Sequence, residues 1–280
     1  MYPVAASRNR NFGVASFLGA YDAVPSIVAA YGMRRLRAAY TSNLLRIRRS
    51  SDNTESNIGY TSAGDLDTAA VTAFIGGGSG YIVKWYDQSG NAYDASQTTA
   101  ASQPLYVASG QNGKPVARFD GVDDTLSLSV SVLSGLTGLL LLAVVIPRST
   151  GEEMTLYSGN GRNQYAFQYH GTGALFYENN ALAYNTFNSG TYPVDAAHII
   201  SMDKTGTANV TRKNGTQIRS DASTATLATS SPDRIGSTTG AAKFAQIDIA
   251  ELIICNAALS TGDRQAAEAA SASYWGITLS

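Results

Sequence analysis

Apolar positions in this chain recur mainly with a period of two, in short runs. Val116–Phe119, Thr125–Val130, Leu139–Ile146, Met154–Ser158, Tyr165–Tyr169, Ala174–Tyr177, His198–Asp203, Ala208–Lys213, Thr216–Arg219, Arg234–Ile235 and Ala245–Cys255 read as strands. Asp120-Gly121, Ser158–Gly161, Gly171-Thr172-Gly173 and Asn214-Gly215 separate them as turns, the last pair being a hairpin signal. Leu44–Arg49 and Tyr81–Tyr86 add two earlier strands. Three stretches follow a helical rhythm instead. Ile27, Tyr31 and Leu36 fall near one face of a helix over Ser26–Tyr40, with Arg34, Arg35 and Arg37 on the other face. Leu66–Phe74 reads as a short helix with Asp65 as N-cap and Gly76-Gly77-Gly78 as its stop. Ser260–Asp263 caps an Ala-rich helix that continues through Arg264–Tyr274. Short strands at this spacing predict an all-β sandwich or jelly roll with a few short helices and a C-terminal helix.

Composition sharpens that picture. Charged residues are 15% of the 280, against about 25% in average globular proteins, which argues against a coiled coil or a charged disordered chain. The expected organisation is an N-terminal arm over 1–20, without periodicity in Ser7–Asn11, followed by one domain over 21–280. The net charge of −1 hides an asymmetry: the first fifty residues hold eight Arg against the single acid Asp22. Arg8, Arg10, Arg34 and Arg35 are therefore candidate assembly contacts, through which the arm would dock on partner subunits. The alternative is that these arginines pair with the chain's own carboxylates, since the planar guanidinium suits fixed ion pairs. Nucleic acid is not an expected partner. Neither is a membrane, because the longest apolar run, Leu139–Ile146, has eight residues where a spanning helix needs about 20. Cys255 is the only cysteine, so an intrachain disulfide is excluded, and its strand-like setting predicts a buried, inert thiol. The apolar stretch Phe12–Ala20 is interrupted by Asp22 and Pro25 and is not read as a signal peptide.

Candidate chemistry is sparse. The two histidines, His170 and His198, stand outside any zincin pattern, and Gly76–Gly80 precedes a strand rather than opening a helix, so it is no phosphate cradle. Asp120, Asp123 and Asp124 cluster between two strands. They offer oxygens to a possible Ca²⁺, or they are present for the turn itself. Aromatic residues recur after Tyr157. Tyr165, Tyr169, Tyr177 and Tyr184, with Asn179 and Asn180 beside them, are the candidate glycan-binding residues: a ring stacks on a sugar face while the amides bond hydroxyls.

Residues 30–52, from Ala30-Tyr31-Gly32 through Ser50-Ser51-Asp52, resemble the N-terminal part of the catalytic domain of α-L-arabinofuranosidase B, as does Trp85–Asn91 with its Tyr-Asp-Gln-Ser-Gly core. Residues 105–280 resemble a laminin-G or concanavalin A-like jelly roll, carried by Ala117–Asp124 and by Ile247–Ile254 with the final helix. The same module resembles those of bacteriophage virion proteins. The first resemblance implies a retaining glycosidase with a Glu nucleophile in a mid-domain strand and an Asp acid/base in a Gly-rich late loop. The aligned strand, Asn163–Tyr169, and the aligned loop, Ile235–Gly240, contain no carboxylate, and the family's adjacent cysteine pair is missing. Only a shifted register would pair Glu178 with Asp233. The expectation is therefore a non-catalytic virion surface protein (head decoration, fibre or tail component), with no catalytic residue and no cofactor beyond possible Ca²⁺. Other virion proteins, a cell-surface glycan and further copies of the chain are its expected partners. A retaining arabinofuranosidase and a cellular lectin-like adhesion domain are the alternatives.

Overall fold

The structure is a computed structural model that describes residues 17–149, 154–159, 165–170, 173–178, 194–222, 227, 232–238 and 243–280. Its strands are β1 (Ile27–Gly32), β2 (Leu45–Arg49), β3 (Glu55–Ile58), β4 (Gly80–Trp85), β5 (Ala95–Ser96), β6 (Leu105–Gln111), β7 (Lys114–Asp120), β8 (Leu126–Ser127) and β9 (Leu139–Pro147). β10 (Met154–Gly159), β11 (Tyr165–His170), β12 (Gly173–Glu178), β13 (His198–Lys204), β14 (Ala208–Lys213), β15 (Thr216–Ala222), β16 (Arg234–Ile235) and β17 (Gln246–Cys255) follow. The helices are α1 (Thr68–Ile75) and α2 (Thr261–Trp275). All strand pairings among the described residues are antiparallel, as an all-β sandwich requires. Neither helix is long and apolar enough to cross a membrane among the described residues.

One ladder runs β15–β14–β13–β9–β17, and β17 pairs on its far edge with β7 through its first half and with β1 through its second. A second ladder runs β3–β2–β4–β5–β8–β16–β10–β11–β12, and β6 joins the two by pairing with both β4 and β7. β9 is buried along its whole length and β17 along all but Gln246, so both faces of these central strands are covered. α2 covers one face, sinking Ala267, Ala272 and Trp275 into the core while Glu268 accepts a 2.6 Å bond from Ser201 of β13. The second ladder contributes Leu45, Trp85, Ala95, Leu126, Tyr157 and Ile235 to the same core. Cys255 is fully buried there, and burial pushes its thiol up to about 12.

The expected helix over Ser26–Tyr40 is not formed. Ile27–Gly32 is a strand against Glu251–Cys255, buried at every position except Val28. A strand covered on both faces loses the alternation that marks a strand in sequence, so scattered apolar residues imitated a helical face. α1 is present, but Asp67 rather than Asp65 caps it, accepting from the Ala70 N–H at 2.9 Å. Asp65 accepts the Tyr274 hydroxyl instead. α2 begins, as expected, on Ser260, whose hydroxyl accepts from the Asp263 N–H.

Candidate active site

The Tyr-Asp-Gln-Ser-Gly segment is a clamp. Asp87 Oδ1 accepts from the N–H groups of Ala30 and Ser89, both at 2.9 Å, and Oδ2 accepts from the Ser89 hydroxyl at 2.6 Å and the Tyr93 N–H at 3.1 Å. Gln88 accepts from the Leu36 N–H at 2.7 Å and donates to the Arg34 carbonyl at 3.0 Å. Both side chains are buried. The segment thus fastens the loop after β4 onto β1, and a carboxylate bonded this fully has no role as a reacting group. Asp87→Ala leaves these donors buried without an acceptor and is expected to cost about 2–4 kcal/mol in urea unfolding. A loss below about 1 kcal/mol would show that the loop is held elsewhere.

Arg34 is not an assembly contact. It is buried, its Nε lies 2.5 Å from Glu251 Oε1, and its guanidinium stacks 3.9 Å from the Tyr274 ring centroid. Arg35 lies between the Phe17 and Tyr60 rings and donates to the carbonyls of Arg37 and Ala38. Arg46 pairs with Glu55 and Arg49 with Asp52. These arginines of the basic N-terminal stretch therefore bond within their own chain, the alternative weighed above. Arg8 and Arg10 lie outside the described residues.

Asp120, Asp123 and Asp124 do converge, with ligand oxygens within 4.8 Å of one another. Asp120 Oδ1 accepts from the N–H groups of Val122 and Asp123, Asp124 Oδ2 accepts from the Asp120 N–H, and Asp123 Oδ2 accepts from the Ser102 hydroxyl. These are the bonds of an Asx-type turn, completed by Gly121 at φ +81°, where a Cβ would meet Gln246. Burial, reinforced by the charges of Asp120 and Asp123, pushes the Asp124 carboxyl up to about 7. A raised carboxyl binds its proton more tightly in the folded chain than in the unfolded one, so its favourable contribution is complete below about pH 4 and is lost as pH rises through 7. Thermal midpoints are expected to fall between pH 4 and 8, and Asp124→Asn to flatten that slope. An unchanged slope in the variant would assign it to other groups.

The same turn borders the late loop. β16 pairs with β8 (Arg234↔Ser127, Ile235↔Leu126), and the Ser237 hydroxyl lies 2.6 Å from that of Thr125. Ser158 of β10 donates to the Ser237 carbonyl at 2.8 Å. Gly236, at φ +84°, lets the Phe119 ring approach where any Cβ would collide with it. Along this segment the faces alternate: Asp233 and Ile235 are buried and Arg234 between them is half-exposed. Asp233 is 0% exposed and accepts from the Tyr157 hydroxyl at 2.6 Å, the Ser131 hydroxyl at 3.1 Å and the N–H groups of Val132 and Leu133. Burial pushes its carboxyl up to about 6.

Glu178 is the last residue of β12 and pairs with Tyr165, which pairs with Gly159. Ser158↔Arg234 then puts Asp233 level with Gly159, three strands from Glu178. At about 4.8 Å per strand the two backbones lie about 14 Å apart, whereas retaining carboxylates stand about 5–5.5 Å apart. Asp233 has its carboxyl engaged by Tyr157, Ser131, Val132 and Leu133, three strands away from Glu178. Tyr165, Tyr169 and Tyr177 occupy positions on β11 and β12; Tyr184, Asn179 and Asn180 lie outside the described residues. Two residues that matter were not singled out from the sequence: Asp87 as a clamp, signalled by Asp followed by Ser at a turn, and Arg234, signalled by its place between inward-facing neighbours.

The model of the family described as "Alpha-L-arabinofuranosidase B, catalytic" matches residues 19–132. No curated protein matches the chain. Among solved structures, a mutant GH54 α-L-arabinofuranosidase soaked with 4-nitrophenyl α-L-arabinofuranoside aligns at 17% identity and a TM-score of 0.72. An arabinofuranosidase complexed with arabinofuranosyl-α-1,2-xylobiose aligns at 16% identity and 0.70. Each alignment covers 90% of this chain but only 64% of the other, so the chain spans just under two thirds of the length of these structures. Domain 4 of an extracellular GH43 arabinanase from Geobacillus stearothermophilus, in complex with arabinotriose, aligns over 65% of this chain at 14% identity and 0.52. These matches give no support to the laminin-G or virion parts of the resemblance. They correct the expectation of a non-catalytic bacteriophage surface protein, and with it the expectation that the chain is no enzyme: the matching family model is that of a catalytic domain, and the solved arabinofuranosidases share the fold.

Proposed function

We propose that the chain is a glycoside hydrolase of the arabinofuranosidase type, built on a single concanavalin A-like jelly roll over residues 21–280. The observation that carries this reading is the catalytic family match over residues 19–132, the stretch whose Asp87 clamp and β1–β17 pairing tie it to the rest of the sheet. Glu178 is the nucleophile of this reading. Of the other glutamates in described strands, Glu55 is ion-paired with Arg46 and Glu251 is buried against Arg34, so neither is available to a sugar. Glu178 closes β12, opposite Tyr165 of the strand that the resemblance aligns with the nucleophile strand, so a shift of one strand brings it to that place.

Its carboxylate would attack the anomeric carbon as the aglycone leaves, and water would then release arabinose from the glycosyl-enzyme ester. The late loop supplies no proton donor, since residues 235–240 lack a carboxylate and Asp233 faces the core. A nitrophenolate leaves without protonation, whereas the alkoxide of a natural arabinan or xylan linkage does not. The test is therefore release of nitrophenol from 4-nitrophenyl α-L-arabinofuranoside, with slower release of arabinose from polymer. A correctly folded chain that releases no nitrophenol overturns the reading.

A further inference from the structure

We infer that the polar face of the β3-to-β16 ladder is a binding surface for an acidic polysaccharide, anchored by Arg234. The register carries the argument. Asn57↔Arg46, Arg46↔Lys84, Lys84↔Ser96, Ser96↔Ser127 and Ser127↔Arg234 are directly opposed pairs, so these six residues form one row across β3, β2, β4, β5, β8 and β16. Directly opposed residues of antiparallel strands share a face. Every member of the row is exposed or half-exposed, while the adjacent row of Ile58, Leu45, Trp85, Ala95, Leu126 and Ile235 is buried. Six strands at about 4.8 Å spacing make a track about 24 Å long, running across the strands. Beyond Arg234 the next directly opposed residue is Ser158 of β10, which is buried and donates to the Ser237 carbonyl, so the exposed row ends at β16.

The chemistry of the row selects its occupant. Arg46 is paired with Glu55, Lys84 with Asp94, and the Tyr86 hydroxyl donates to Asn57. Donors and acceptors thus alternate along the track with little net charge, which suits a hydroxyl-rich polymer. A nucleic acid needs a cation for each closely spaced phosphate and finds too few here. Arg234 is the exception: among the described residues its guanidinium has no ion pair or hydrogen bond. A half-exposed guanidinium left open at the end of a polar track fits a carboxylate, which its planar fork receives with two parallel bonds. Sparse carboxylates on a hydroxyl-rich chain are the chemistry of a uronate-bearing polysaccharide. The choice of polymer rests on the arabinofuranosidase reading; the track itself does not.

The test is affinity electrophoresis of the full chain in gels containing glucuronoarabinoxylan, native or with its carboxyl groups reduced, and needs no turnover. The wild type is expected to be retarded by the native polymer, and Arg234→Gln to bind it about tenfold more weakly. On the reduced polymer the two should migrate alike. Lys84→Gln, whose cation is already paired, should show a smaller loss, and thermal melting confirms that both variants fold. Equal retardation of wild type and Arg234→Gln on the native polymer overturns the proposal, as does tighter binding to single-stranded DNA. A chain that cleaves the nitrophenyl substrate but is not retarded overturns the track alone. One that is retarded but never cleaves overturns only the enzyme reading.

Discussion

Glu178→Gln is expected to lower turnover of 4-nitrophenyl α-L-arabinofuranoside by about 10⁴-fold or more. The amide cannot form the glycosyl ester, and loss of a covalent nucleophile removes the step that splits a difficult displacement into two easier ones. The substitution is isosteric, at the last residue of a strand that pairs only with β11 among the described residues, so stability should change little. The discriminating experiment is Glu178→Ala with added azide. If Glu178 attacks the anomeric carbon, azide enters the vacated space and takes its place as nitrophenolate departs, so turnover returns and arabinosyl azide accumulates. A residue that only holds the fold or the substrate would show no such rescue. Undiminished turnover in Glu178→Gln would remove this residue from the mechanism.

The largest expected effect on stability belongs to Glu251. It is 0% exposed on β17 and accepts from Arg34 at 2.5 Å, the Tyr21 hydroxyl at 2.7 Å and the Ser271 hydroxyl at 3.1 Å, so one carboxylate ties β17 to the segment after β1 and to α2. Glu251→Ala strands a buried guanidinium and two hydroxyls. Breaking a buried pair from one side costs about 3–5 kcal/mol, a large part of the stability of a typical domain. Chemical denaturation should show that loss, and the double variant Arg34→Met/Glu251→Leu should recover most of it, because neither charge then remains to be desolvated. A loss near 1 kcal/mol in Glu251→Ala would mean that water reaches Arg34.

What could be read from the chain by itself was everything that repeats locally. The strands from Lys114 to Cys255 were visible because one face of each alternates, or because an uninterrupted apolar run such as Leu139–Ile146 is bounded by turn residues. α2 was visible from its Ser260 cap and its alanines, and the Asn214-Gly215 hairpin from its turn chemistry, with Asn214 at φ +48° and Gly215 at +86°. β3 and β5 carried almost no apolar signal, since Glu-Ser-Asn-Ile and Ala-Ser are strands only because β2, β4 and β8 offer edges to them.

Tertiary structure decided what depends on partners distant in the chain. β1 is a strand rather than a helix because β17, more than two hundred residues away, takes its hydrogen bonds and buries both its faces. Carboxylates that look alike in sequence part company for the same reason. Asp87 became a clamp because Ala30 and Tyr93 bring their N–H groups to it, and Asp233 became a core group because Tyr157 turns its hydroxyl towards it. Glu178 takes its place at the end of β12 from the pairing with β11. Local pattern sets which residues face inward. Whether an inward or outward carboxylate is a strut or a reagent depends on the donors that long-range packing delivers, and those donors are not encoded next to it.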